Sequence, residues 1–525
     1  GANPDIHLGT SIAVSGATLL TGAPDSDIGN GFQNGAAYLF QRTGSNWAQQ
    51  TRLAGEVTGY GAAGVNFGTS VAIQGNLAVV GSPRANTSGP LNEGSVSVYE
   101  RTGGTWSIRQ GGLLRANDSE AGKLLGSSVA LSNGTIVAGA YGYGSYRGAI
   151  YVFTPKPSGT GYDQVRLTRS AGAAGDNLGY SAAIDGDQII AGAPFAPVTG
   201  AGAAGVAVIF TRASGVWTET TVLNAQRLVD LFTPVSDSSA GAHFGEAVAI
   251  KGDAVLVGAP HADLASPLRV DGGKAYYYGK STSTGIWSPG QLIQPGAEGA
   301  AGAWFGYSVA MSADKLIVGS PGGSMYTSMW AVPVLGDRKG KVYVFKAGFL
   351  FWEQETILSA SPASVAEDSF GISVSFEGSL VAVGAWQRNA GPGKAYLFAR
   401  DTGGGWSQQQ VFGPSTTVQG DFAATVALSG DTLLVGAPRA ETNVGGSAGA
   451  AYVYRISDPA TFVPVLSISR SGGNAVLSWP ATPPWTLYRS ATLAGGSWLP
   501  VTVTTDGSYT YSGTEARMFF RLQRP

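Results

Sequence analysis

One segment, repeated eight times, limits what this chain can fold into. Its clearest copy is Phe67-Gly68-Thr69-Ser70-Val71-Ala72-Ile73, a tight turn at Gly75-Asn76, then Leu77-Ala78-Val79-Val80-Gly81-Ser82-Pro83. The opening pair recurs at Leu8-Gly9, Leu125-Gly126, Leu178-Gly179, Phe244-Gly245, Phe305-Gly306, Phe370-Gly371 and Phe422-Ala423, 52 to 66 residues apart. A Gly-Ala-Pro or a near variant follows each one, as at Gly22-Ala23-Pro24, Gly192-Ala193-Pro194 and Gly436-Ala437-Pro438. A period of this length, made only of strand and turn signals, predicts a closed array of similar sheets.

Each unit reads as four antiparallel strands. The first is short and alternates small with branched residues (Ser70-Val71-Ala72-Ile73), so it belongs innermost, where room is scarce. The second is apolar throughout (Thr432-Leu433-Leu434-Val435), as expected of a strand covered on both faces. The third starts from Gly, as in Gly148-Ala149-Ile150-Tyr151-Val152-Phe153. The fourth starts from Trp and alternates with polar residues, as at Trp47 and Trp217, and belongs on the outer edge. The Trp residues at 47, 106, 217, 287, 352 and 406 hold one fixed place per unit and read as packing residues. First-to-second turns such as Asp185-Gly186 are tight hairpins, and third-to-fourth turns such as Arg42-Thr43-Gly44 are also short. The second-to-third and fourth-to-first connections vary widely in length. Up-and-down order puts both variable types on one face, leaving the opposite face plain. Variable loops on a rigid scaffold are where function concentrates.

These residues resemble the FG-GAP repeat family, the β-propeller repeat of integrin α-subunit heads and of many bacterial surface proteins. The resemblance rests on the Phe-Gly or Leu-Gly pair, the Ser-Val-Ala strand, Val-Gly-Ala-Pro, Gly-Ala-x-Tyr-Val-Phe and the following Trp, over residues 8–454. It implies an all-β, eight-bladed propeller of four-stranded antiparallel blades, with seven blades as the alternative. Integrin-type copies would also carry a calcium loop between first and second strands. Here every such connection is a turn of a few residues with no room for one.

The propeller is expected over 1–458. Its last blade lacks a Trp-led fourth strand, and Phe462-Val463-Pro464-Val465 is the expected substitute, three strands being the alternative. Residues 459–525 change pattern and give six short strand signals, from Leu466-Ser467-Ile468 to Met518–Leu522. They resemble the small, fibronectin-like β-sandwich modules that end large secreted bacterial proteins.

Composition narrows the chemistry. Charged residues are 13% of the 525, about half the usual share, and 32 basic against 34 acidic residues leave a net charge of −2. No basic field exists to hold nucleic acid, and no run approaches a membrane span. With no Cys there is no disulfide, no thiolate metal site and no cysteine nucleophile. Low charge with abundant Gly, Ser, Thr and Asn leans toward an extracellular or cell-surface setting. No nucleophile elbow or His-Glu-x-x-His motif is present, so no catalytic residue is assigned. Of three His, His243 and His261 fall on the variable-loop face of one blade. With no third ligand spaced to join them, they read as loop histidines. Asp25, Asp27 and Asn30 alternate as cation ligands would, although a plain polar loop accounts for them equally, and no cofactor is expected. The same face collects Arg84, Tyr141, Tyr143, Tyr146, Arg147, Phe195, Tyr326, Trp330, Trp386, Arg388 and Arg439. Aromatic and Arg enrichment is an interface signature, and loop packing is the competing explanation. The expected function is therefore a non-enzymatic, secreted or surface-displayed binding or adhesion protein, holding a protein or polysaccharide on that face. The alternatives are a structural subunit of a filament or surface layer, self-associating through the C-terminal module, and a glycan-active enzyme.

Overall fold

A computed structural model describes residues 7–26, 34–44, 46–55, 64–86, 91–228, 234–265, 268–287, 290–322, 339–349, 351–361, 368–386, 392–401, 403–414, 421–440 and 448–456. Beyond these it gives the backbone of six strands between 467 and 523. Eight antiparallel sheets follow one another, the strand order in each being the order along the chain. Blade 1 comprises Ser11–Ser15, Thr18–Ala23, Ala36–Thr43 and Asn46–Leu53. Blade 5 comprises Val248–Lys251, Ala254–Ala259, Lys274–Gly279 and Gln291–Ile293. The eighth blade excludes the seven-bladed alternative. Its described strands are Thr425–Ser429, Thr432–Ala437 and Ala450–Arg455. Phe462–Val465, expected to complete it, lie outside the described residues. The six C-terminal strands form two three-stranded sheets. Among the described residues the helical turns are confined to Tyr143–Tyr146 and Gly296–Glu298.

The motif's two glycines are required by contact between neighbouring blades. In every blade, a Cβ added to the Gly of Gly-Ala-Pro would lie 1.9 to 2.2 Å from a main-chain carbonyl oxygen of the next blade's opening pair. Gly22 meets Gly68, Gly192 meets Gly245, and Gly436 meets Gly9. The Gly of the opening pair is itself held at φ between +90° and +98°, conformations open only to glycine. Blade 8 is the exception, with Ala423 at φ +67°.

The residue before this Gly does the complementary work. Phe67, Phe244, Phe305 and Phe370 are fully buried. Their rings pack edge-on or tilted against the Tyr of their own third strand, at 5.4 Å for Phe244–Tyr276 and 5.1 Å for Phe305–Tyr343. Their main chains bridge the previous blade, as at Gly35–Phe67 and Gly340–Phe370. One residue thus fills its own blade and pins the neighbour. Innermost-strand hydroxyls reinforce the joint: Ser11, Ser70, Ser128, Ser181 and Ser308 each donate to the next blade's opening-pair carbonyl at 2.7 to 3.0 Å.

Among the described residues the ring closes by the same joint. Leu8 bridges Gly449, and Thr425 Oγ1 donates to the Gly9 carbonyl at 3.0 Å. At the plain face, Gly16 N donates to Ser429 Oγ at 3.2 Å, and Arg42 pairs with Asp431. The Trp residues are buried at 106, 217 and 287 and half-buried at 47, 352 and 406.

Two predictions follow from these contacts. Gly192→Ala is expected to destabilise by ~3 kcal/mol or more, because rigid backbone blocks the new methyl. Ala423→Gly is expected to raise the melting temperature, since relief of a left-handed L-residue, worth roughly 1–2 kcal/mol, exceeds the added chain entropy. Thermal unfolding of both variants checks the pair. The Arg42 hydrogen bond, against a smaller effect of burial, holds the Asp431 carboxyl below its ordinary range. A depressed folded-state value stabilises above the unfolded pKa and is lost as pH falls. The stability gap between wild type and Asp431→Asn should therefore be full at neutral pH and close below about pH 4.

Candidate functional site

Three positions per blade rim the channel mouth on the variable-loop face: the residue before the opening pair, the residue after it, and the residue after Gly-Ala-Pro. The first is left-handed in all eight blades, at His7, Asn66, Leu124, Asn177, His243, Trp304, Ser369 and Asp421, with φ between +49° and +62°. Asn and Asp tolerate that conformation, whereas Leu124 and above all Trp304 occupy it at a cost. The turn throws each of these side chains over the mouth. In blades 1 and 8 it meets the residue after Gly-Ala-Pro: His7 Nδ1 lies 2.6 Å from Asp25 Oδ2, and Arg439 pairs with Asp421 at 3.2 Å.

The rim has two sectors. Blades 8, 1 and 2 are polar. Asn66 Nδ2 donates to Asp25 Oδ1 at 2.9 Å, so both Asp25 oxygens are engaged, and Arg84 is exposed. Blades 3 to 6 are aromatic. Tyr146, Tyr141, Tyr180, Phe195, His243, His261, Trp304 and Tyr307 form one unbroken file, each ring 4.7 to 6.4 Å from the next. Tyr146 is 52% exposed, Tyr180 43% and Phe195 38%. A cavity of about 690 Å³ adjoins the end of the file, lined by Asp25, Asn66, Arg84, Asn92, Leu124, Tyr141 and Tyr146 among others. Burial, with Tyr146 adding and Arg84 opposing, pushes the Tyr141 hydroxyl above its usual range.

The residues singled out from sequence separate accordingly. Arg84, Tyr141, Tyr146, Phe195 and Arg439 reach the rim, and Trp386 is half-buried beside it. Tyr143 packs beneath the Arg166 guanidinium at 4.7 Å and joins the core between blades 2 and 3. Arg147 donates to the Arg169 carbonyl at 3.2 Å and ties its loop to the connection that leads into blade 4. Tyr326, Trp330, Arg388, Asp27 and Asn30 lie outside the described residues.

The structure corrects one reading outright. His243 and His261 do have a third partner, Glu246, whose Oε2 is 3.1 Å from His243 Nδ1 and 3.9 Å from His261 Nε2. The other His261 nitrogen, Nδ1, lies 3.5 Å from Asp271 Oδ1. Burial lowers the His261 pKa, but the Asp271 hydrogen bond and the charges of Glu246 and Asp271 outweigh it and raise the value overall. Glu246 was legible in principle. The position after the opening pair is Thr10, Thr69, Ser127, Tyr180, Tyr307, Ile372 and Ala424 in the other blades, so a carboxylate stands out once the copies are aligned. The same alignment finds Tyr180, Tyr307 and Trp304. Asp271 sits in a variable loop, where no alignment of copies reaches.

Among the described residues no helix is long and apolar enough to cross a membrane. No curated protein sequence matches the chain. Among solved structures, the periplasmic gluconolactonase of Pseudomonas aeruginosa is 13% identical, with 68% of this chain and 86% of that one covered and a TM-score of 0.39. A putative 6-phosphogluconolactonase from Bacteroides uniformis is 12% identical, with 76% of this chain and 96% of that one covered and a TM-score of 0.41. At that level of likeness neither name transfers. The FG-GAP repeat matches seven segments: 47–99, 109–153, 162–210, 231–278, 295–345, 352–398 and 406–454. Most run from the outermost strand of one blade through the third strand of the next, which is why seven matches accompany eight blades. Together they cover more than half of the sequence, and the chain belongs to the FG-GAP repeat family.

Proposed function

We propose that this is a non-enzymatic, extracellular or surface-displayed binding protein that holds a polysaccharide across the aromatic sector of its channel mouth. The observation that carries the reading is the unbroken file of eight rings over blades 3 to 6, with a polar cavity at one end. Sugar rings present apolar C–H faces to aromatic π-faces and hydroxyls to their edges, so a ribbon of half-exposed rings beside Asp25, Asn66 and Arg84 suits a glycan chain. Trp304 strengthens the case. A bulky ring held in left-handed backbone lowers stability, and strain of this kind concentrates at functional positions.

A second observation favours self-association. Val216, Ile286 and Phe349 are exposed at the third-to-fourth turns of consecutive blades 4, 5 and 6, Phe349 at 98%. Exposed apolar side chains gathered on the plain face are what a neighbouring subunit would cover. Size-exclusion chromatography of wild type and Phe349→Ser tests this: a wild type that elutes as a monomer at high concentration excludes it.

For the principal reading, the test variants borrow residues from the protein's own repeats so that the fold tolerates them. Tyr180→Thr copies blade 2 and Phe195→Asp copies blade 1. On a polysaccharide panel read by affinity electrophoresis, the double variant is expected to lose at least ~10-fold in retention. Trp304→Asn should do likewise while changing stability by less than about 1 kcal/mol, because relief of left-handed strain offsets the lost ring contacts. Undiminished retention by both variants, or a wild type that ignores every polysaccharide yet captures a protein, defeats the glycan reading.

A further inference from the structure

We propose that His243, Glu246 and His261 form a binding site for a divalent transition metal of the zinc class. It shares His243 and His261 with the aromatic file, but its test reads metal binding and needs no polysaccharide. The three ligand atoms lie within 4.8 Å of one another. Bonds of about 2.0–2.1 Å around a tetrahedral ion put ligand atoms roughly 3.4 Å apart, and the contacts to Glu246 here are 3.1 and 3.9 Å. The histidine nitrogens stand no more than 4.8 Å apart, so closing on an ion needs side-chain shifts on the order of an ångström. Two imidazoles and one carboxylate favour zinc, nickel or copper over calcium, which takes six to eight oxygens. Three protein ligands leave a position facing the channel mouth, where a ligand group or water completes the shell.

Two further features support a built site. Asp271 lies against the nitrogen of His261 that does not face Glu246, the place where metal-ligating histidines carry an orienting carboxylate. Asp271 is itself held, its N–H donating to Asp263 Oδ1 at 3.0 Å and its carbonyl accepting from Trp304 at 3.1 Å. The imidazoles are also fixed by ring contacts: His243 sits between Phe195 and His261 at 4.7 Å each, and His261 packs on Trp304 at 5.2 Å. The sequence is selective too. The chain has 3 His in all, and blade 5 alone combines two of them with a carboxylate at the three rim positions.

The test uses the full chain, stripped with a chelator and titrated with Co²⁺, whose visible absorption reports low-symmetry coordination, with Zn²⁺ as competitor. One equivalent of Co²⁺ should give a band that Zn²⁺ abolishes and Ca²⁺ does not. His243→Asn copies blades 2 and 4 and suits left-handed backbone, His261→Phe copies blade 4, and Glu246→Thr copies blade 2. Each is expected to weaken binding ~100-fold or more, and Asp271→Asn about 10- to 100-fold. Circular dichroism establishes that each variant is folded, and Glu246→Gln, which keeps the side-chain volume, replaces Glu246→Thr if that one is not. A wild type with no cobalt band at millimolar metal overturns the proposal. So does a band that survives intact in the His243→Asn, His261→Phe double variant.

Discussion

Backbone lying directly on backbone at the blade joints is the constraint from which the rest follows. A carbonyl of one blade occupies the space that a side chain of its neighbour would need, eight times around the ring. Only glycine permits that approach, and only glycine adopts the accompanying positive φ near +95°. With the main chains so close, the innermost strands keep Ser, Ala or Thr at alternate positions, as at Ser11 and Ala13 or Ser308 and Ala310, and most of the Phe, Tyr and Trp bulk stands further out. The radial grading of side-chain size is thus a consequence of the joint.

This is also why the fold was legible and the site only partly so. From Leu8 to Gly22, from Phe67 to Gly81 and in every later blade the two halves of the motif are fourteen residues apart, because the hairpin between them has fixed length. Rigid geometry leaves a rigid signature. The rim is different. Its backbone is constrained, but its side chains face open space, so residue type is free to vary. Asn66, Asn177 and Asp421 fit left-handed backbone, while Leu124 and Trp304 give no such hint. Glu246 stands out only beside the seven residues that occupy the same position in the other blades. Tyr143 and Arg147 differ again: their loop folds into a short turn that brings them to Arg166 and to the Arg169 carbonyl.

The rim illustrates how a repeat protein acquires local character. Each blade supplies the same three positions at the same geometry, and substitution at those positions leaves the joints untouched. Blade 8 places an ion pair there, blade 1 an imidazole–carboxylate pair, blade 4 a Tyr–Phe pair, and blade 5 two imidazoles with a carboxylate. Chemistry has diversified around the ring while the scaffold has stayed periodic.

The seam between Leu8 and Gly449 has a mechanical meaning. Many rings of this kind are clasped by weaving the two chain ends into one sheet, so that covalent continuity runs across the closure. Among the described residues the final joint is no different in kind from the other seven, except that no peptide linker spans it within residues 8–449. Among the described residues the circle is held shut by hydrogen bonds and packing. Tension applied between residues 8 and 449 would act first on that seam, unzipping the disc like an unclasped bracelet before any blade lost its own strands.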